Sequence, residues 1–445
     1  MDDAPRTPAA PESPAHRTAR AAPAPVGAPA PVAAPPIGPA PAAGAAGGRA
    51  GPAPTTAADF ILAIPFDLDL ELDVQKVRAH YGRRDGAAPS EGAAAGAGAG
   101  SEPPLAGRNA PIVVGRDEGR TVSLDGEELS TSAREEVWIY GFEIGLILVR
   151  FRLRRDLARI ARVACAAERI DVGGRPIYAY ADDRAASVRR ELQACGCTRG
   201  RYEVLYTERD VYPVVVLPPG PDLKDAEAFL AENPGATIGI VGGEDQWERL
   251  SPFALSRSEI KNLGYYQDEL IIAKEWGALI SSRDEERGIL ALVFLAYAQR
   301  WALQSYNHLT NARQDEALRL LAQAKGASPS PLLSGRRLRA IAAKLFGANE
   351  DRIALLNAIR DFTSVPELMQ DWHLHNLYQD LAKTFFLNDL YRLVVQKNEE
   401  LEKAYASVHS HLMSSRLFAV EVYMVIVVAL EGILLLAWFL SEIPH

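Results

Sequence analysis

The chain has 445 residues and a formal net charge of −9, and 48% of its residues are hydrophobic. That length allows two or three domains with sizeable cores. The acidic balance argues against a general nucleic-acid binder, which needs a basic surface to neutralise phosphates. Three cysteines, Cys165, Cys195 and Cys197, are too few and too closely spaced for a disulfide framework and fit a reducing compartment.

The first 56 residues are predicted to be a disordered tail. Ala or Pro occupies 33 of these positions, and proline at this density resists both helix and sheet. No apolar stretch follows a basic start, so we expect no secretory signal. Asp2 and Asp3 argue against a mitochondrial presequence, whereas four arginines in the tail leave that alternative open.

Residues 57–282 are predicted to form a mixed α+β domain, because strand-like and helix-like patterns are interspersed. Two β-rich runs, 137–142 and 145–151, are separated by two residues and predict a hairpin. A Gly-, Ala- and Ser-rich stretch, 85–110, is expected to be an inserted low-complexity loop. The other predicted strands are 60–66, 111–114, 176–180, 202–207, 211–217, 237–241 and 269–274, and the predicted helices are 68–81, 153–168, 182–195 and 222–232.

Residues 283–386 are predicted to form a helical region. The segment from Ile289 to Ala298 is apolar on every side, but about ten residues cannot cross a hydrocarbon layer about 30 Å thick. We therefore expect a buried core helix there. Two prolines indicate a loop at 326–335, and the helices predicted after it are 336–346, 349–362 and 367–385.

An apolar run at 417–440 predicts one C-terminal transmembrane helix. Its 24 residues include fifteen Leu, Ile, Val or Phe and extend about 36 Å as a helix. The fifteen contribute roughly −5 to −9 kcal/mol to insertion, while Glu421 and Glu431 oppose it by up to about 3 kcal/mol each. The alternative is a helix buried in a soluble core.

A terminal anchor without a signal peptide predicts a single-pass membrane protein whose N-terminal bulk stays on the side of synthesis. Arg416 flanks the apolar run on that side, in agreement with the positive-inside rule. Lipid is thus the first expected partner.

Residues 387–416 are predicted to form a coiled-coil-like stem, because apolar residues alternate by four and three in an a/d seam. Asn398 falls at an a position, where a buried amide fixes register by meeting another amide. Self-association through the seam is one interpretation, and a helix docked on its own domain is the other. The seam comprises Leu387, Tyr391, Val394, Asn398, Leu401, Tyr405, Val408, Leu412 and Ser415.

The chain resembles the YagE family, also called the "required for meiotic nuclear division" family, which is built on a domain of unknown function. The resemblance covers most of 57–440 and is most specific in the last 80 residues. The Ala/Pro-rich tail and the 85–110 insert have no counterpart in that family. The residues that carry it are Phe142 and Gly145 in the hairpin, Pro366, Trp372 and Leu377-Tyr378, then Asn398 with Leu401, and the run from Val420 to Glu431.

The resemblance implies a non-enzymatic membrane protein of the mitochondrial or bacterial inner membrane. Mitochondrial members are linked to supporting translation at that membrane. This link implies an unidentified protein partner, and contact with a ribosome or with nucleic acid. It also implies membrane or assembly roles for Glu421, Glu431, Asn398, Trp372 and Tyr378.

The sequence holds no recognisable catalytic, cofactor-binding or metal-binding motif. It contains no phosphate-binding loop, H-E-x-x-H or G-x-S-x-G pattern, and Cys195-Gly-Cys197 lacks nearby histidines to complete a tetrahedral site. His373 and His375 point about 200° apart on a helix and are poorly placed to share a metal. We predict a membrane-anchored scaffold and no enzyme, cofactor or metal. The alternative is a membrane-tethered enzyme with an unrecognised site in the α+β domain.

Two arginine-rich runs remain as candidate binding surfaces. Arg155, Arg159 and Arg162 of the first run share one face of a predicted helix. The first run comprises Arg150, Arg152, Arg154, Arg155, Arg159 and Arg162, and the second comprises Arg336, Arg337, Arg339 and Lys344. Either run predicts a patch for anionic lipid or RNA, or a solvated helix face.

Overall fold

The computed structural model describes residues 57–84, 109–199, 210–220, 223–258, 260–283, 286–325 and 371–441. They form a mixed α+β fold whose sheet precedes a helical C-terminal half, as the sequence predicts. The tail 1–56, nearly all of the insert 85–110, the predicted strand 202–207, the loop 326–335 and the helices 336–346 and 349–362 lie outside the described residues.

The strands and helices are numbered in chain order within the described residues. The strands are β1 (Ala57–Asp67), β2 (Leu70–Glu71), β3 (Ile112–Leu124), β4 (Glu127–Ile139), β5 (Ile144–Arg154), β6 (Ile170–Val172), β7 (Arg175–Pro176), β8 (Thr198–Arg199), β9 (Tyr212–Val216), β10 (Leu270–Lys274) and β11 (Gly277–Ser281). The helices are α1 (Val74–Arg84), α2 (Leu157–Cys165), α3 (Ile177–Ala194), α4 (Ala226–Glu232), α5 (Pro234–Gly242), α6 (Pro252–Arg257), α7 (Glu286–Lys325), α8 (Trp372–Thr384) and α9 (Leu387–Ser441).

The main sheet has nine strands among the described residues, in the order β10-β11-β9-β1-β5-β4-β3-β6-β7. Its pairs are antiparallel except β9 with β11, which run parallel. The central pair is β1 with β5, and Phe60 lies opposite Phe151 in its register. β2 and β8 form a separate two-stranded sheet.

The predicted hairpin is confirmed as β4 and β5, in which Trp138 lies opposite Leu146. The turn closes where the Tyr140 amide donates to the Ile144 carbonyl at 2.9 Å. Gly145 follows this turn, and a side chain there would collide with the Phe66 ring on β1. The glycine is therefore needed for close approach of the central strands.

Side chains of β1 alternate between two cores, one on each face of the sheet. Phe60 and Leu62 belong to the first core, which α2, α3 and α5 cover. Ile61 and Ala63 belong to the second, which α7, α8 and the start of α9 cover. The described residues thus form three layers, with the sheet between two layers of helices.

Two predicted strands are wrong. Residues 176–180 mostly belong to α3, whose buried side chains Ile177, Ala181, Ala185 and Val188 recur at helical spacing. Residues 237–241 lie in α5, which starts at Pro234. This helix is buried nearly all round, so it shows no helical periodicity, and a short apolar run of that kind is ambiguous between strand and helix.

β3 ends ten residues after the predicted strand 111–114, and β4 begins ten residues before the predicted run 137–142. Some helix boundaries differ by a few residues because capping side chains set them. The helix predicted at 68–81 begins only at Val74, after Asp73 accepts the Lys76 amide at 3.1 Å. The helix predicted at 153–168 begins at Leu157, because Asp156 accepts the amides of Ala158 and Arg159. Strand β11 is absent from the sequence prediction.

The two long C-terminal helices confirm the predicted helical half. The apolar stretch of α7 from Ile289 to Ala298 is fully buried, as expected for a core helix. α9 runs without a break from Leu387 to Ser441 and so contains both the predicted stem and the predicted membrane segment.

Within the described residues, none of the helices is sufficiently long and apolar to cross a membrane. The predicted transmembrane helix 417–440 is therefore unsupported by the described residues. The side chains at 418, 419 and 436–440, which belong to that predicted segment, lie outside the described ones.

Candidate functional site

The first half of the stem docks on the chain's own helical layer. Along α9, side chains from Leu387 to Tyr405 that belong to the seam are buried or partly buried, and α9 packs against α7. The side chains of Val408, Leu412 and Ser415 lie outside the described ones. In the described half of the seam, α9 therefore docks on the chain's own domain. Self-association through 387–416 stays a prediction.

Asn398 occupies the centre of this docked seam and is 1% exposed. Its Nδ2 donates to the Val394 carbonyl at 2.9 Å, within its own helix. Its Oδ1 has no hydrogen-bond partner among the described residues. The residue therefore lies at the seam, as predicted, but its buried oxygen is a destabilising feature in the single chain.

Trp372 and Tyr378, both carried over from the family resemblance, lie on different sides of α8. Asp371 caps this helix by accepting the His373 amide at 2.7 Å. The Tyr378 hydroxyl donates to Gln299 Oε1 on α7 at 2.8 Å, and burial raises the pKa of Tyr378 to about 12. Trp372 is 60% exposed. Tyr378 thus holds α8 on α7, whereas Trp372 is available at the surface.

Trp372 belongs to an exposed aromatic patch that it forms with Tyr265 and Tyr266. The Tyr265 ring lies 5.0 Å from the Trp372 ring and 5.2 Å from the Tyr266 ring, nearly perpendicular to both. Buried Glu269 orders this loop by accepting the Tyr265 amide at 2.9 Å. The two tyrosines were not predicted from the sequence, although their position as adjacent aromatic residues after Gly264 offered a signal.

Glu421 and Glu431 lie on the part of α9 that extends away from the core. After Tyr405, every described side chain of α9 is exposed or partly exposed. The two carboxyls are about 80° apart around the helix. The alternative interpretation of 417–440, a helix buried in a soluble core, is wrong for the described side chains.

The apolar segment, residues 417–435, exposes apolar side chains on all sides of the helix. Twelve of its large described apolar side chains are between 43% and 69% exposed, and Val422 is partly exposed. Five consecutive residues, 424–428, are all among them, and five consecutive helical residues cover the full circumference. The large exposed apolar side chains are Leu417, Val420, Tyr423, Met424, Val425, Ile426, Val427, Val428, Leu430, Ile433, Leu434 and Leu435.

An open groove of ≈ 880 Å³ lies on the second face of the sheet, beside the first turns of α7. Strands β1, β3, β4 and β5 form its floor and α7 contributes one wall. Its charged lining residues are Asp59, Glu118, Glu136, Arg134, Arg150, Arg152 and Arg287, and its apolar ones include Ile61, Trp138, Leu148, Leu290, Ala291 and Phe294.

Ion pairs order the arginines of the groove to different degrees. Arg150 is held from two sides, since its Nε lies 3.1 Å from Asp59 Oδ2 and its Nη2 lies 3.0 Å from Glu286 Oε1. Arg152 also contacts Asp59, at 3.4 Å, but its side chain is 82% exposed. The Arg287 side chain is exposed and has no hydrogen bond or ion pair with any described residue.

The arginine-rich face of α2 is largely paired with acids of its own chain. Arg159 Nη2 lies 2.6 Å from Glu127 Oε1, and Arg162 Nε lies 3.9 Å from Glu248 Oε1. This pairing favours the solvated-face interpretation over a patch for lipid or RNA. The second run, 336–344, lies outside the described residues.

A buried ionic cluster joins β4 to α3 on the opposite face of the sheet. Glu135 is 1% exposed and accepts hydrogen bonds from Tyr180 Oη and, at 2.5 Å, from Arg184 Nε. Arg184 also lies 3.5 Å from Glu191. Buried charges persist only when they are paired in this way, so we assign the cluster a structural role.

Within the residues that the structure describes, no group of His, Cys, Asp or Glu side chains is arranged to hold a metal ion. Burial raises the pKa of Cys165 to about 11, which disfavours the thiolate that metal binding or nucleophilic attack requires.

No protein-family model, curated protein or solved structure matches this chain. The resemblance to the YagE family therefore stays a prediction.

Proposed function

We propose that this chain is a membrane-attached scaffold, with the end of α9 embedded in lipid and the α+β body held at the membrane surface. The observation that supports this most is the exposed apolar segment of α9. Contiguous exposed apolar surface on this scale marks a site of interaction with a membrane or another protein.

Lipid suits this segment better than a protein groove because apolar side chains are exposed around the whole helix. A groove covers one stripe of a helix, at positions three and four residues apart, and would leave the opposite stripe in water. A lipid phase surrounds a helix on every side. Glu421 and Glu431 would then be the two polar positions of the embedded surface.

The length of α9 separates the body from the proposed lipid phase. Val420 lies fifteen positions after Tyr405, the last buried side chain among the described ones, which corresponds to about 22 Å of helix. The sixteen residues 420–435 would occupy about 24 Å, less than a hydrocarbon layer of about 30 Å. In the proposal, the apolar sequence 436–440 continues the embedded helix.

Carbonate extraction of membranes tests the attachment. The full chain should remain with the membrane, and a chain ending at Arg416 should be released. As a finer variant, Val427→Lys with Val428→Lys should release the full chain, whereas a matched change in the spacer, Ala406→Lys with Ser407→Lys, should not. A full chain that is extracted as readily as the truncated one would overturn the proposal.

A membrane-tethered enzyme is the second candidate, because the groove has the size of a small-molecule site. A catalytic role would require a substrate that is converted, and the groove's carboxylates and arginines are mostly engaged with one another. Turnover of a small molecule by the full chain, abolished by substitutions in the groove, would favour this candidate over the scaffold.

A further inference from the structure

We infer that the groove beside α7 is a binding site for an amphipathic organic anion, a single carboxylate or phosphate head on an apolar body. The inference comes from the juxtaposition of an apolar floor with exposed arginines in one cavity. It does not depend on whether α9 enters a membrane.

The apolar part of the groove is built around Trp138 of β4, which is partly exposed and packs on the buried ring of Phe294 of α7. Their rings pack edge to face, with centroids 5.5 Å apart and planes at 85°. Glu136 accepts a hydrogen bond from Trp138 Nε1 at 3.2 Å, so the polar edge of this indole is already satisfied. Leu148 on the floor and Leu290 on the wall from α7 add to the apolar lining. This surface favours an aliphatic or aromatic body over a polar one.

The anionic head is expected at Arg152 and Arg287. Arg150 and Arg152 project from the same face of β5 and are about 6.8 Å apart along the strand. Arg150 is engaged by Asp59 and Glu286, which fixes its position. Arg152 and Arg287 remain exposed at the groove. A guanidinium group can bind a carboxylate or phosphate through two parallel hydrogen bonds.

The exposed guanidinium groups at the groove favour a negative charge on the ligand. Four arginines and three carboxylates line the groove, and Glu286 beside it pairs with Arg150, so these groups together carry no net charge. Arg152 and Arg287 nevertheless expose their guanidinium groups at the groove, and these attract an anion and repel a cation of the same shape. The head could belong to a free organic acid or to a membrane lipid, since both offer the same chemistry.

Octanoate is a suitable probe because it combines a carboxylate with a short apolar chain. Its binding to the full chain in a mild non-ionic detergent can be measured by titration calorimetry, with the detergent alone as the blank. Octanol and octyltrimethylammonium have similar apolar chains without the negative charge. We expect octanoate to bind, and both comparison compounds to bind at least about tenfold more weakly.

Substitutions locate the site. Arg152→Gln and Arg287→Gln should each weaken octanoate binding by about tenfold, the loss expected for a hydrogen bond to a charged group. Arg169→Gln is the matched control, since Arg169 is an exposed arginine paired with Asp125 outside the groove. Ser132→Phe, at an exposed strand position lining the groove, should weaken binding by occupying the cavity.

Nanodiscs distinguish the two sources of the anion, when octanoate binding is compared between discs of zwitterionic lipid and discs that contain phosphatidylglycerol, at an ionic strength that screens the surface charge of the discs. Weaker apparent octanoate binding in the phosphatidylglycerol discs would assign the groove to a lipid headgroup, and unchanged binding would assign it to a free acid. Absence of octanoate binding, equal binding of octyltrimethylammonium, or insensitivity to all three groove substitutions would each overturn the inference.

Discussion

Lys397 of α9 donates a hydrogen bond to Asn307 of α7, with 2.6 Å between Nζ and Oδ1. The same ammonium group lies 2.7 Å from Asn311 Oδ1, one turn further along α7. A single side chain thus connects the base of the projecting helix to the buried core helix. Because α9 also carries the proposed membrane segment, this contact helps to fix the orientation of the body relative to that segment.

Lys397→Met should loosen the stem, because it removes two charge-assisted hydrogen bonds while keeping the aliphatic part of the side chain. We expect the free energy of unfolding to fall by about 1–2 kcal/mol, as measured by denaturant titration of the full chain in detergent. Lys403→Met is the matched control, since Lys403 is exposed on the same helix. Equal effects of the two substitutions would show that the Asn307 and Asn311 contacts contribute nothing.

Asn398→Leu should stabilise the chain by about 1 kcal/mol, because it replaces a buried amide whose Oδ1 has no described partner with an apolar side chain of similar size. Denaturant titration of the full chain measures the change. Sedimentation in the same detergent reports the oligomeric state. A wild-type dimer that the substitution dissociates would instead favour the self-association prediction.

Glu135→Gln should strongly destabilise the fold, since it leaves Arg184 without its main buried partner. Loss of one member of a buried ion pair typically lowers stability by about 3–5 kcal/mol. The comparison is Glu118→Gln, which removes an exposed pair with Arg134 at 3.1 Å and should change stability by less than about 1 kcal/mol. Thermal unfolding of both variants decides whether burial makes the difference.

Asp67→Asn should make stability less dependent on pH. Burial raises the pKa of Asp67 from 3.8 to about 6, so the folded state binds more protons than the unfolded state between these values. Stability therefore falls as the pH rises from about 4 to about 6, and the amide removes this contribution. The melting temperature across that range measures it.

Asp73 offers a control of opposite sign for this pH experiment. The hydrogen bond and charge of Lys76 lower the pKa of Asp73, so its contribution to stability is present above the unfolded pKa of 3.8 and is lost as the pH falls below it.

If Asp67→Asn and wild type showed parallel dependence of the melting temperature on pH from pH 4 to 6, the buried carboxyl of Asp67 would not be the titrating group.

Glu431→Leu should increase the carbonate-resistant fraction of the chain if the apolar segment lies in lipid, because a carboxylate near the membrane centre disfavours insertion by up to about 3 kcal/mol. Glu402→Leu, on the docked stem, should leave that fraction unchanged. A similar increase for both would indicate general hydrophobicity rather than insertion of the segment around Glu431.

Local patterns in the sequence determined much of the secondary structure. Two β-rich runs separated by Glu143 and Ile144 predict the β4–β5 hairpin, because register and turn are set by neighbouring residues. The all-apolar stretch after Ile289 predicts a core helix, and the continuous helical pattern after Leu387 predicts α9. For the hairpin and for α9 the apolar periodicity within the segment suffices to choose between strand and helix, whereas the stretch after Ile289 is assigned by the helical pattern of the longer segment that contains it.

Only the tertiary structure decided which surfaces meet. The a/d seam of α9 is compatible with a second copy or with the chain's own domain, and packing against α7 selects the latter for Leu387 to Tyr405. The groove unites Arg150 and Trp138 with Arg287, which is more than 130 residues away in sequence. The spacing of residues along the chain does not predict such contacts, because they depend on how the sheet and α7 pack together in three dimensions.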